Sequence, residues 1–81
     1  MELKDTVKMM ESLDYKERFK AEYYQLKFRI RGLKTMLEKY REGTLPFTPT
    51  CSYALLNQQL MSMELYLSFL EERAEIEDIK L

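Results

Sequence analysis

The sequence predicts an all-α fold: a short N-terminal helix followed by a long antiparallel helical hairpin of coiled-coil type, assembled as a homo-oligomer. Phe19, Tyr23, Leu26, Ile30, Leu33, Leu37 and Tyr40 recur at alternating steps of four and three residues, the spacing of a heptad seam. A second such seam follows in Leu56, Leu60, Met63, Leu67, Leu70 and Ala74. Glycine and proline occur only twice each, too rarely for a turn-rich β fold.

Each element has its own local signals. Leu3, Val7 and Met10 sit at helical spacing and give a short amphipathic helix over about 3–12. Asp14 followed by Glu17 is a capping-box arrangement, so the second helix is expected over about 15–42. Gly43 supplies its stop. Residues 43–48 read as a short loop, and Thr48-Pro49 as an N-cap followed by a first-turn proline, opening a third helix over about 49–78. Helices of that length span about 40 Å at 1.5 Å per residue, and so short a connection forces them antiparallel. Residues 1–81 thus form one domain. Apolar and amphipathic residues left off the seams, namely Phe28, Met36, Leu55, Tyr66 and Phe69, predict self-association. The seams alone leave the stoichiometry open between dimer and hexamer.

Composition removes several function classes. Hydrophobic residues make up 46% and charged residues 33% of the 81, a globular or coiled-coil balance rather than a disordered one. With no histidine and a single cysteine, no Cys/His zinc site, Ser-His-Asp triad or Cys-His pair can be built, and no cofactor or metal is expected. The chain reads as a non-enzyme. Cys51 has no intrachain partner, which fits a reducing compartment. No apolar run is long enough to span a bilayer, and Met1 to Ser12 lacks the apolar segment of a signal peptide, so a cytoplasmic protein is expected. A net charge of −1 gives no general attraction to nucleic acid or membrane.

That small sum hides a sharp division. From Tyr15 to Glu42 there are nine basic and four acidic residues, from Gly43 to Met63 there is no charge, and from Glu64 to Leu81 six acidic residues face two basic ones. One reading is simple attraction between the two long helices. The other follows from projecting the second helix at 100° per residue: Lys16, Lys20, Lys27, Arg31 and Lys34 gather on one flank of the seam, with Tyr24 just behind. Cations beside aromatic faces suit a nucleotide, whose phosphates need charge and whose bases need stacking. The candidate ligand-binding residues are therefore Tyr15, Lys20, Tyr24, Lys27, Arg31 and Lys34. Gly32, inside the helix at a cost of about 1 kcal/mol against alanine, is either an ordinary defect or a point of close approach. On the third helix Gln59, Tyr66 and Arg73 put polar groups on an otherwise apolar register. They form either a structural hydrogen-bond cluster, with Glu22 a candidate partner for Arg73, or part of the lining of a site. The acidic run from Glu71 to Asp78 reads as a solvated helix face.

The register Leu55-Leu56, Gln59, Met63, Tyr66, Leu70, Arg73, preceded by Glu22, Leu26, Arg29-Ile30, Leu33 and Met36-Leu37, resembles a family of small phage proteins first catalogued from crAss-like phages. The resemblance covers residues 15–76. That family is similar to the anti-CBASS sponge proteins, helical hairpins that form hexamers and sequester cyclic di- and trinucleotide immune signals. It implies capture of a cyclic di- or trinucleotide, or a similar nucleotide signal, by a homo-oligomer in the infected bacterial cell, without turnover. The chain departs from the sponges where they carry a lysine before the leucine matching Leu33; here Gly32 stands there, flanked by Arg31 and, beyond Leu33, Lys34. The stacking aromatic corresponds to Tyr15 or Phe19. The alternative reading is a coiled-coil protein-interaction module, an adaptor or virion-associated protein with no small-molecule ligand. Direct DNA or RNA binding sits poorly with the overall acidity.

Overall fold

A computed structural model describes every residue from Met1 to Leu81. A 3-10 turn (Leu3–Asp5) runs into α1 (Thr6–Met10), followed by α2 (Tyr15–Glu42) and α3 (Tyr53–Ile76), with no strand. The two long helices pack against each other and α1 lies on α2, giving a rod 43 × 24 × 17 Å. Tyr15 meets Glu77, Tyr23 meets Glu71 and Tyr40 meets Tyr53, so α2 and α3 run antiparallel as a hairpin.

The seams form the core. Phe19, Tyr23, Leu26, Ile30 and Leu37 of α2 are buried against Leu60, Leu70 and Ala74 of α3, with Leu33, Leu56, Met63 and Leu67 half-buried around them. Leu70 is the largest apolar side chain sealed completely, and burying it is worth about 1.5–3 kcal/mol. Only 11 of the 81 residues are buried, because a two-helix layer can cover just one stripe of each helix.

The helix ends follow local chemistry, with corrections. The Asp14 side chain accepts from the backbone N–H of Lys16, capping α2. The expected capping box is only half formed: the Asp14 N–H donates to Ser12 Oγ, and Glu17 turns instead to Lys20. Gly43 closes α2 at φ 73°, a left-handed conformation that glycine adopts without a Cβ clash, and N–H groups of Gly43 and Thr44 satisfy the Tyr40 and Lys39 carbonyls. The loop runs on to Ser52, beyond the expected residue 48. Ser52, not Thr48, caps α3, its hydroxyl accepting from the Leu55 N–H at 3.1 Å. The edge-on packing of Tyr53 against Tyr40, with centroids 5.6 Å apart, pins the first turn there.

At the far end α3 stops at Ile76, two residues before the expected limit. Asp78 turns to φ 57° and the Ile79 N–H bonds the Ala74 carbonyl, tucking Ile79 into the core. The N-terminal helix is also shorter than expected, and it is turned around. Leu3, Val7 and Met10 face solvent while Thr6 is buried. Its hydroxyl donates to the Leu3 carbonyl and accepts from Gln25 Nε2, so the polar group pays no desolvation penalty.

Candidate functional site

What joins α2 to α3 at the polar level is not charge pairing. The three ion pairs, Lys4–Glu2, Lys20–Glu17 and Arg73–Glu77, are all local in sequence. Tyrosine hydroxyls do the work instead: Tyr15 donates to Glu77 at 2.9 Å, Tyr23 to Glu71 at 2.9 Å, and Tyr66 to Glu22. Burial first, and then the Glu71 hydrogen bond, push the Tyr23 hydroxyl up to about 12. The Glu77 hydrogen bond is the main cause that raises Tyr15, with Arg73 opposing it. Arg73 Nη2 donates to the Tyr15 hydroxyl, its Nε to Glu77, and its guanidinium lies 5.0 Å from the Phe19 ring.

Arg73 takes Glu77 and Tyr15 as hydrogen-bond partners, whereas the expected partner Glu22 accepts from Tyr66 instead. Gln59 stands apart and touches only the Met63 sulfur. Glu71 and Glu77 belong to the clasp rather than to a purely solvated face.

Because no carboxylate pairs with them, the cations in the middle of α2 stay available. Lys27, Arg31 and Lys34 line one wall of an open groove of about 460 Å³ between the two helices. Ile30 and Leu67 form its floor, and Glu64 and Glu71 its opposite wall. That volume falls in the range of about 300–1,000 Å³ usual for ligand sites. Aromatic rings support the cations from behind: Lys27 Nζ lies 5.5 Å from the Tyr23 ring centre, and the Arg31 guanidinium 5.5 Å from that of Phe28. Such contacts hold the side chains in place without neutralising their charge.

The six sequence-predicted residues therefore divide. Lys27, Arg31 and Lys34 come together in the groove. Tyr24 is half-buried and edge-on to Tyr23 at 5.2 Å, and does not line the groove. Lys20 is tied to Glu17, and Tyr15 lies in the clasp, about 18 Å down the helix from Lys27 at 1.5 Å per residue. Sequence reasoning missed the second wall. Glu64 and Glu71 are the acidic residues that the antiparallel register brings opposite Lys27 to Lys34, a pairing visible only once the loop length is known. Gly32 meets nothing: a Cβ built on it finds no atom within 4 Å, so no close helix crossing within the chain explains it.

No group of three or more histidine, cysteine or acidic side chains is arranged to hold a metal ion, and no helix is long and apolar enough to cross a membrane. What the groove offers is a cationic wall, an accepting wall and an apolar floor. A family model described as Sequestin matches residues 13–76, four-fifths of the chain. The chain belongs to the Sequestin family. The match spans α2, the loop and all of α3, leaving residues 1–12 and the last five outside it. The family name suggests a sequestering function. No curated protein and no solved structure matches the chain significantly.

Proposed function

We propose that the protein is a phage anti-defence sponge that binds and sequesters a cyclic oligonucleotide, or a related nucleotide immune signal, without turning it over. The observation that carries this reading is the cluster of Lys27, Arg31 and Lys34, three cations on two turns of one helix, free of ion pairs and lining one groove. The membership in Sequestin supports the sequestering part of the reading, and the resemblance to anti-CBASS sponges supports the class of ligand. In this reading the phosphates lie along the cationic wall, where charge-assisted hydrogen bonds are short and strong.

The second wall narrows the ligand. Glu64 and Glu71 repel a bare polyanion, yet accept hydrogen bonds from ribose hydroxyls and base amino groups. A compact nucleotide presents both kinds of group within one molecule. A nucleic-acid strand brings a continuous phosphate row and meets the acidic wall. Tyr24, three residues before Lys27 on α2, is the aromatic contact proposed for a base. Tyr15 and Lys20 do not line this groove and are left out of the proposed contact set. Capture acts by mass action, holding free signal below the level its effector needs.

Alanine substitution tests the assignment. Arg31→Ala and Lys34→Ala should each weaken binding of a cyclic di- or trinucleotide, read by calorimetry, and leave the helical content and the mass in solution unchanged. Unchanged affinity in the double variant overturns the groove as the site. The interaction-module reading expects that outcome, since an adaptor has no need of these three cations.

A further inference from the structure

Tyr23 stands at a seam position where an apolar side chain suffices. It is buried in the core with Phe19, Leu26 and Leu70, and a phenylalanine would fill the same space. What tyrosine adds is a hydroxyl, which donates to Glu71 Oε2 at 2.9 Å. Glu71 belongs to the acidic wall of the groove between α2 and α3. The same ring lies 5.5 Å from the Nζ of Lys27, on the cationic wall opposite. It also packs against Tyr24, with centroids 5.2 Å apart and planes at 80°. Tyr23 does not itself line the groove. From behind, one buried side chain thus touches a cation of one wall, a carboxylate of the other, and the aromatic ring proposed for a base.

We infer that Tyr23 is the positioning residue of the groove, its ring holding Lys27 and its hydroxyl holding Glu71, so that a cation and an acceptor face each other before a ligand arrives. The inference rests on the nucleotide reading of the groove. Lysine and glutamate are long and lose rotamer freedom when they bind, and side chains already held lose less. The hold on Lys27 leaves its charge free for a phosphate, because the ring face attracts the ammonium without neutralising it. The hold on Glu71 occupies Oε2 and leaves Oε1 to accept from one donor of the nucleotide. Burial makes the arrangement firm, since a buried hydroxyl must keep its partner. Two bonds of the same kind lie elsewhere and separate positioning from stability. Tyr15 donates to Glu77 and Tyr66 to Glu22, and none of these four residues lines the groove.

Calorimetric titration of the full chain with cyclic di-GMP, cyclic di-AMP, cyclic tri-AMP and cyclic ADP-ribose tests this, each variant being checked as folded at the temperature used. Tyr23→Phe keeps the ring and removes only the hydroxyl. It should weaken the nucleotide that the wild type binds tightest by about 2- to 10-fold, the worth of one net hydrogen bond. Tyr66→Phe, which loses a similar bond away from the groove, should leave that affinity unchanged. In a Glu71→Ala background Tyr23→Phe should cause no further loss, because the hydroxyl acts through Glu71. Equal affinity of Tyr23→Phe and wild type overturns the inference and leaves the groove standing. So does an equal loss in Tyr66→Phe, or a loss from Tyr23→Phe that persists in full without Glu71, since either makes the effect one of general stability. A wild type that binds none of these nucleotides overturns the groove reading and this inference with it.

Discussion

Replacing Gly32 with alanine should stabilise the chain. Gly32 lies inside the 28-residue α2, ten residues from its C-terminal end, where glycine is less favourable than alanine by about 0.8–1.0 kcal/mol. The added methyl group meets no atom within 4 Å and the site is solvent-exposed, so nothing in the fold opposes the gain. For a domain of this size about 1 kcal/mol corresponds to a rise in Tm of roughly 4–8 °C. Thermal melts of Gly32→Ala and wild type, followed by circular dichroism at equal protein concentration, measure it directly. A fall in Tm would refute the reasoning, because it means that the bare backbone at Gly32 is in contact with something outside the chain. Repeating the melts across a range of concentrations then identifies that contact. A loss that grows with concentration belongs to a second copy, and one that stays constant does not.

Leu70→Ala should cost about 2–5 kcal/mol, since Leu70 is sealed between the helices, and a melt lowered by less than a few degrees contradicts that packing. Ser52→Ala should lose about 1 kcal/mol of stability with its cap, whereas Thr48→Ala should be close to neutral; the reverse order in urea titrations would restore Thr48 as the cap. Tyr23 keeps its proton more tightly folded, at about 12, than unfolded, at 10.0, so the unfolded chain releases its proton first as pH rises. Its stabilising contribution is thus complete below pH 10 and lost between pH 10 and about 12, and Tyr23→Phe should flatten the fall in stability over that window.

The parts of the fold legible in the sequence were those fixed by contacts within a few residues. Asp14 and Gly43 bracket α2 through bonds to their immediate neighbours, and the heptad seam names the buried face because side chains three and four apart share it. Where two local signals compete, tertiary packing chooses. Thr48-Pro49 and Ser52 are both acceptable helix starts, and the Tyr53–Tyr40 contact selects the later one. The N-terminal helix was misread for a similar reason: Leu3, Val7 and Met10 have the right spacing for a core face, yet Gln25 on α2 offers a hydrogen bond that draws Thr6 inward. The candidate site shows the same split. Lys27, Arg31 and Lys34 are neighbours on one helix and could be grouped by spacing alone. Glu64 and Glu71 come from the other helix, and only the register of the hairpin brings them to the groove. The place of the Tyr15 hydroxyl in the clasp was not legible, because its partners, Arg73 and Glu77, lie about sixty residues away in sequence.

The central claim, capture of a nucleotide signal in that groove, is tested most directly by thermal-shift measurements on the purified protein with cyclic dinucleotides, cyclic trinucleotides and ADP-ribose-type signals. A ligand present at a hundred times its Kd adds about 2.7 kcal/mol, roughly 10–20 °C for a chain of this size. A shift of that order is expected with one class of signal, reduced in Arg31→Ala/Lys34→Ala. No shift with any of them, or one that the double variant retains in full, would contradict it.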